Sequence, residues 1–165
     1  MRSVIAAALG ALLITAGAGP ACAQVNAPVP DSCDGSVNEK LTELIHEQHD
    51  GPVEQVMVCG RTIGPSRRQK GGPHGDHQIL PLRVPLDGGG NALVEVVTND
   101  SLDGKVTAPK GAQVYAYGQY FLTSDRQRPF VAGVHDVHCA THRGAANGWV
   151  VVNDRKYPRR ACTRR

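Results

Sequence analysis

Aromatic side chains are scarce in this chain: one Trp, two Phe and four Tyr among 165 residues. Few stacking faces are therefore available for bases or sugars. Outside the extreme N-terminus no apolar run reaches membrane-spanning length. No nucleotide-binding glycine motif, Ser-centred elbow or zinc-protease helix occurs, which excludes the enzyme classes that announce themselves by a short motif. There is no acidic cluster to hold Mg²⁺ and no Cys-x-x-Cys spacing for a tetrahedral thiolate site. What is abundant is Gly, 19 residues, and Pro, 11. Both interrupt helices, so a helical bundle is excluded and frequent turns are expected in one soluble domain.

Residues 1–23 read as a secretory signal. Arg2 supplies the positive start, Val4 to Ala16 the apolar stretch, and Ala21, Cys22 and Ala23 a small-residue cleavage site. Thirteen apolar residues broken by Gly10 are too few to cross a bilayer, so the expected product is an exported protein, periplasmic or extracellular, beginning at Gln24. Cys22 leaves with the signal, and four cysteines remain: Cys33, Cys59, Cys139 and Cys162. In an oxidising compartment four cysteines suggest two disulfides with three possible connectivities. Pairing of sequence neighbours, Cys33 with Cys59 and Cys139 with Cys162, is favoured: it ties the N-terminal segment to the first strand and closes a C-terminal loop.

Charge is unevenly spread. Six of the positive residues (Arg155, Lys156, Arg159, Arg160, Arg164 and Arg165) fall in the last eleven positions, leaving residues 24–154 at a net −4 with His neutral. A basic C-terminal tail on an acidic body suits an anionic envelope surface.

Residues 24–35 are Pro-, Asn- and Asp-rich, a linker ahead of a single domain over residues 36–165. One helix is expected at its start, with Ser36 and Glu39 as a capping box and Val37, Leu41, Leu44 and Ile45 as its apolar stripe, ended by Asp50, Gly51 and Pro52. Strand patterns follow at Val53–Ile63, Ile79–Leu86, Ala92–Thr98, Ala112–Phe121, Phe130–His138 and Gly148–Asn153. Arg67, Arg68 and Lys70 lie in a basic, Gly-rich loop. Five or six short strands with Gly-rich turns and one N-terminal α-helix predict a mainly β fold, a small antiparallel barrel of the oligonucleotide/oligosaccharide-binding (OB) type.

The order His77-Gln78, Thr98-Asn99, Gly118-Gln119-Tyr120, His135-Asp136-Val137-His138 and Gly148-Trp149 resembles an uncharacterised bacterial family of short exported proteins, a domain of unknown function. In that family a His-Gln pair precedes an apolar strand, His-Asn ends the next, and Gly-x-Tyr, His-x-x-His and Gly-Trp follow. The resemblance spans roughly residues 53–157 and implies a small β-rich exported domain. It supplies no reaction. Thr98 stands where that family usually has His, Asp136 where it has Trp, and Cys139 and Ala140 where it has His and Asp.

Seven histidines are many for this length, and His74, His77, His135, His138 and His142 form two sequence clusters. Imidazoles suit Zn²⁺ or another transition metal, with His77, His135 and His138 the best three ligands. Residues three apart on a regular strand face opposite ways, so His135 and His138 can meet only through a bulge, turn or strand end. Otherwise His77, Asn99 and His138 form a buried hydrogen-bonded brace, with Gln78 and Asn99 pairing to backbone groups and Asp136 facing the same way as His138. Trp149 is expected in core packing. The strands carry few positive charges, Arg61, Arg83 and Arg128 among or beside them, which argues against a nucleic-acid groove. The sequence thus reads first as a non-catalytic binding or scaffold module, with no certain cofactor. The alternative is a metal-dependent hydrolase or phosphodiesterase in which His74 or Asp136 acts as base.

Overall fold

The computed structural model describes residues 27–71, 75–123 and 129–162. The expected signal segment, His74, Arg128 and the last residues of the basic tail lie outside the described residues. Within them the chain forms a 3₁₀ turn (Gly35–Asn38), helix α1 (Glu39–His46) and strands β1 (Val53–Thr62), β2 (Arg67–Gln69), β3 (His77–Pro85) and β4 (Asn91–Asn99). A one-turn helix α2 (Asp100–Asp103) and strands β5 (Gln113–Leu122), β6 (Ala132–His135), β7 (Trp149–Val152) and β8 (Arg155–Tyr157) complete it.

The sheet runs β1-β3-β4-β6-β5 and closes where β5 pairs again with β1. This is a five-stranded OB-type barrel, as the strand count and turns predict. One expectation needs correction: the barrel is mixed. β6 runs parallel to β4, with Val94, Glu95 and Val96 opposite Ala132, Gly133 and Val134. A strand that enters between β4 and β5 and runs antiparallel to β5 must, in this closed ring, lie parallel to β4. β6 is also shorter than its sequence pattern suggests, ending at His135.

Alternation fills the barrel. Leu80, Leu82 and Val84 from β3, Val94 and Val96 from β4, and Val114, Ala116 and Tyr120 from β5 are all fully buried in one core, which Leu41 and Leu44 of α1 cap. Period-two spacing puts these residues on one face of each pleated strand. The Tyr120 hydroxyl donates to the His49 carbonyl at 3.2 Å, tying the end of the helix to the barrel. At the helix entrance Asp34, not Ser36, supplies the cap: its carboxylate accepts the Ser36 N–H at 3.1 Å. Asn38 is fully buried, donating to the Cys59 and Pro85 carbonyls at 3.2 and 2.8 Å and accepting the Cys59 N–H at 2.7 Å.

Two strands of the barrel change partner along one edge. β3 pairs with β2 through His77–Ile79 and with β1 at Leu82 and Arg83. Pro81 sits at that change, where its missing N–H costs no ladder bond. β5 pairs with β7 from Val114 to Tyr117 and with β6 from Gln119 to Leu122, changing partner at Gly118. The segment from Asp136 to Gly148 leaves the sheet at this gap. Both disulfides join sequence neighbours, Cys33 to Cys59 and Cys139 to Cys162, with Cα separations of 5.6 and 5.2 Å.

Candidate functional site

On β4 the half-buried Val97 and Asn99 alternate with the buried Val96 and Thr98, and Glu95, on the same face as Val97, is buried. His77 lies directly across from Asn99 on β3, and His135 ends β6 on the far side of β4. These strands, with the chain just after β6, enclose a cavity of about 330 Å³ on the outer face of the barrel. Its polar lining is His77, Asn99, His135, Asp136 and His138, and its apolar wall is Val97 and Phe121. Phe121 meets the His135 ring edge-on at 5.2 Å between centroids. Its ring lies over Gly133, where a Cβ would collide with it.

His135 and His138 reach the same cavity because the strand ends between them. Asp136 has φ +53°, a left-handed conformation that Asp tolerates better than most residues. The turn places Asp136 Oδ1 3.2 Å from His135 Nδ1 and 3.4 Å from His138 Nε2. Two motif glycines make room for it. A Cβ at Gly118 would collide with the His135 carbonyl, and one at Gly148 with the Asp136 carbonyl. The Gly148 N–H then donates to the His138 carbonyl at 2.7 Å, closing the loop.

The remaining nitrogen of His138, Nδ1, lies 2.9 Å from the Cys139 carbonyl. A carbonyl only accepts, so Nδ1 carries a proton; Nε2 faces a carboxylate and is best matched by a second proton. The ring is therefore set up as an imidazolium. Burial opposes its charge, but the bonds to Asp136 and the Cys139 carbonyl and the fields of Asp103 and Asp136 prevail and raise its pKa. The same two imidazoles hold the Asp136 carboxyl well below the usual carboxylate range, against some burial.

On the other side of the cavity Asn99 caps α2. Its Oδ1 accepts the Ser101 N–H at 2.9 Å, which turns its Nδ2 toward His77 Nε2 at 3.4 Å. An amide N–H₂ only donates, so His77 accepts on Nε2. Behind Asn99 lies Asp103, which sequence reasoning missed. It is 4% exposed, Oδ2 accepts the Asn99 N–H at 2.7 Å, and Oδ1 has no partner among the described residues. Burial pushes its carboxyl up to about 6, opposed by that N–H and by the His138 charge. Its only sequence signal is a position four residues after a helix-capping Asn.

The structure thus brings His77, Asn99, His135, Asp136 and His138 to one cavity. Among the described residues no group of three or more His, Cys, Asp or Glu side chains is arranged to hold a metal ion. His77, His135 and His138 share the cavity without forming such a group. Gln78 lies on the inner side of β3, 2% exposed, and donates to both Asp100 carboxylate oxygens at 3.1 and 3.0 Å rather than to backbone groups. Thr98, opposite Gln78 on β4, is likewise buried inside. Trp149 is buried but outside the barrel core: it stacks on Tyr117 at 6.1 Å, and its Nε1–H donates to the Ala27 carbonyl at 3.0 Å. No family model, curated protein or solved structure matches this chain.

Proposed function

We propose that the protein is an exported, non-catalytic binding module, and that the histidine cavity takes a small polar ligand. One observation carries this reading: both nitrogens of His138 already meet protein acceptors, Asp136 Oδ1 and the Cys139 carbonyl. A metal ligand needs an imidazole lone pair directed at the ion, and this ring is committed to bracing. The remaining polar surface, His77, Asn99 and His135, can hydrogen-bond a ligand whose apolar part rests on Val97 and Phe121. A cavity of about 330 Å³ is within the usual range for small-molecule sites.

A second reading, the metal-dependent hydrolase, draws on His135. A carboxylate on Nδ1 is the partner that orients metal-ligating imidazoles, and it leaves Nε2 as the nitrogen available to an ion, with His77 lining the same cavity.

Thermal unfolding of the untagged oxidised protein with Zn²⁺, Cu²⁺, Ni²⁺ or chelator, together with elemental analysis, separates the two. The binding module is expected to hold no stoichiometric metal and to gain little from added ions. It should gain midpoint from members of a panel of sugars, amino acids and nucleotides, and lose that gain in His135→Ala. A stoichiometric metal, with a concentration-dependent rise that His77→Ala and His135→Ala abolish, would transfer the site to the hydrolase reading.

A further inference from the structure

The basic C-terminal stretch is not a free tail. Its first residues form β8, which pairs Tyr157 with Val150, and Cys162 is bonded to Cys139. Between these two anchors the chain borders two adjoining cavities of about 320 and 180 Å³ that share Pro158 and Arg160. Lys105, Arg159 and Arg160 line the first, and Lys156 and Arg160 the second. All four cations are exposed, and none of them forms an ion pair among the described residues. Two rest on aromatic rings, Lys156 5.2 Å above Trp149 and Arg159 5.9 Å from Tyr157. Among the described residues the single acid lining either cavity is Asp103, which is buried.

Like charges gathered on a stapled segment repel one another. Among the described residues no carboxylate lies within ion-pair distance of these cations, although residues 24–154 carry a net −4. The arrangement is that of a surface awaiting an anion from outside. We propose that this end of the barrel docks onto the phosphate headgroups of an anionic lipid surface, one headgroup at each cavity. The aromatic residues decide between lipid and nucleic acid. Trp149 and Tyr157 are 2% and 5% exposed and serve as supports for the cations, so they offer no face on which bases could stack. The large hydrophobic residues exposed among the described residues, Val29 and Val131, line neither cavity. Attachment is therefore electrostatic, without insertion, and sensitive to salt.

The test is co-sedimentation of the untagged protein, expressed from its full sequence, with vesicles of phosphatidylcholine alone or of equal parts phosphatidylcholine and phosphatidylglycerol. Partition is expected only with the anionic vesicles and is expected to fall steeply as salt rises. A Lys105→Gln/Arg159→Gln/Arg160→Gln variant should lower it by roughly 10- to 100-fold. A Lys40→Gln/Arg83→Gln/Lys110→Gln variant, which removes the same charge from exposed positions that line neither cavity, should change it far less. Matching circular-dichroism melts establish that both variants fold. Equal loss in both variants, no partition at low salt, or tighter binding of a single-stranded oligonucleotide than of the anionic vesicles would each overturn the proposal.

Discussion

His138 and Cys139 are joined by more than the chain: the ring of the first donates Nδ1–H to the carbonyl of the second at 2.9 Å, and Cys139 is itself fixed by its disulfide to Cys162. This imidazole in the cavity wall is thus held through the covalent frame of the domain on one nitrogen and through Asp136 on the other.

That double hold makes His138 an electrostatic reporter. Because its pKa is raised in the folded state, its contribution to stability is complete below the ordinary histidine range and is lost as pH rises through the folded value. Asp136→Asn removes the anion while keeping a residue that accepts a positive φ. In this variant His138 should titrate at lower pH by NMR, and stability at mildly acidic pH should fall by about 1 kcal/mol. The figure is kept small because half of the Asp136 side chain faces solvent. An unchanged His138 titration would show that Asp136 does not hold it.

Asp103 has the opposite sense for a carboxylate. Its pKa rises from 3.8 to about 6 on folding, so the folded state binds its proton more tightly than the unfolded chain does. Its effect on stability is therefore most favourable below the unfolded value and is lost as pH climbs toward 6. The loss amounts to about 3 kcal/mol at most. Asp103→Asn retains an acceptor for the Asn99 N–H but cannot ionise. Its urea midpoint should show less decline between pH 4 and 7 than the parent does, and it should be the more stable protein at pH 7. Parallel profiles for the two proteins would refute the assignment.

Asn38 connects three parts of the fold through one buried amide, bonding Cys59 on both its N–H and its carbonyl and Pro85 on its carbonyl. Asn38→Ala strands the Cys59 N–H in the core, and such loss of buried partners costs about 2–4 kcal/mol. Isosteric Asn38→Asp keeps the acceptor but loses the two donors and adds buried charge, so it should be no better. Urea denaturation of the oxidised variants measures both.

How much of this was legible follows from the range of each interaction. Four cysteines leave three connectivities open and only favour the neighbour pairing observed, whereas the strands with strict alternation, β3 and β5, could be read from local pattern. β2 and β8 could not, because Arg67–Gln69 and Arg155–Tyr157 are three-residue polar segments whose strand character comes only from their neighbours. The parallel pairing of β6 is a property of ring closure, not of β6. At the site, the histidines and Asp136 stood out as residue types, yet their meeting depends on one left-handed residue and on two glycines whose role is to admit a backbone. Trp149 was legible as buried but not as lying outside the barrel, since that depends on the segment at Ala27 folding over it. Asp103 carries no type-specific signal; its importance comes from burial.

The two disulfides should differ in what their loss does. Each closes a loop of similar length, with separations of 26 and 23 residues, so loop entropy gives each a comparable contribution of about 3 kcal/mol. Only one reaches the site. Replacing Cys139 and Cys162 together by Ser frees the carbonyl that holds His138, and should both lower the urea midpoint and shift the His138 ring resonances. Replacing Cys33 and Cys59 should lower the midpoint while leaving those resonances in place. Equal effects on His138 from both pairs would mean that the staple is not what fixes the ring.

Gly118 and Gly148 permit the sharpest test of how the cavity is built. Neither needs a positive φ, so substitution does not strain its own backbone; what stands in the way is the carbonyl of His135 at Gly118 and the carbonyl of Asp136 at Gly148. A methyl at either position must push the segment carrying both histidines away from β5, and overpacking against fixed backbone costs about 1–3 kcal/mol or more. Gly118→Ala and Gly148→Ala should each lower the urea midpoint and bring the His138 titration toward that of an ordinary histidine, because Asp136 moves with the backbone. Gly64→Ala is the control, since its Cβ would meet nothing within 4 Å. If Gly148→Ala were to unfold less easily than the parent, or to leave the His138 titration unmoved, the loop would be free to shift, and the glycines would not be what holds Asp136 between the two imidazoles.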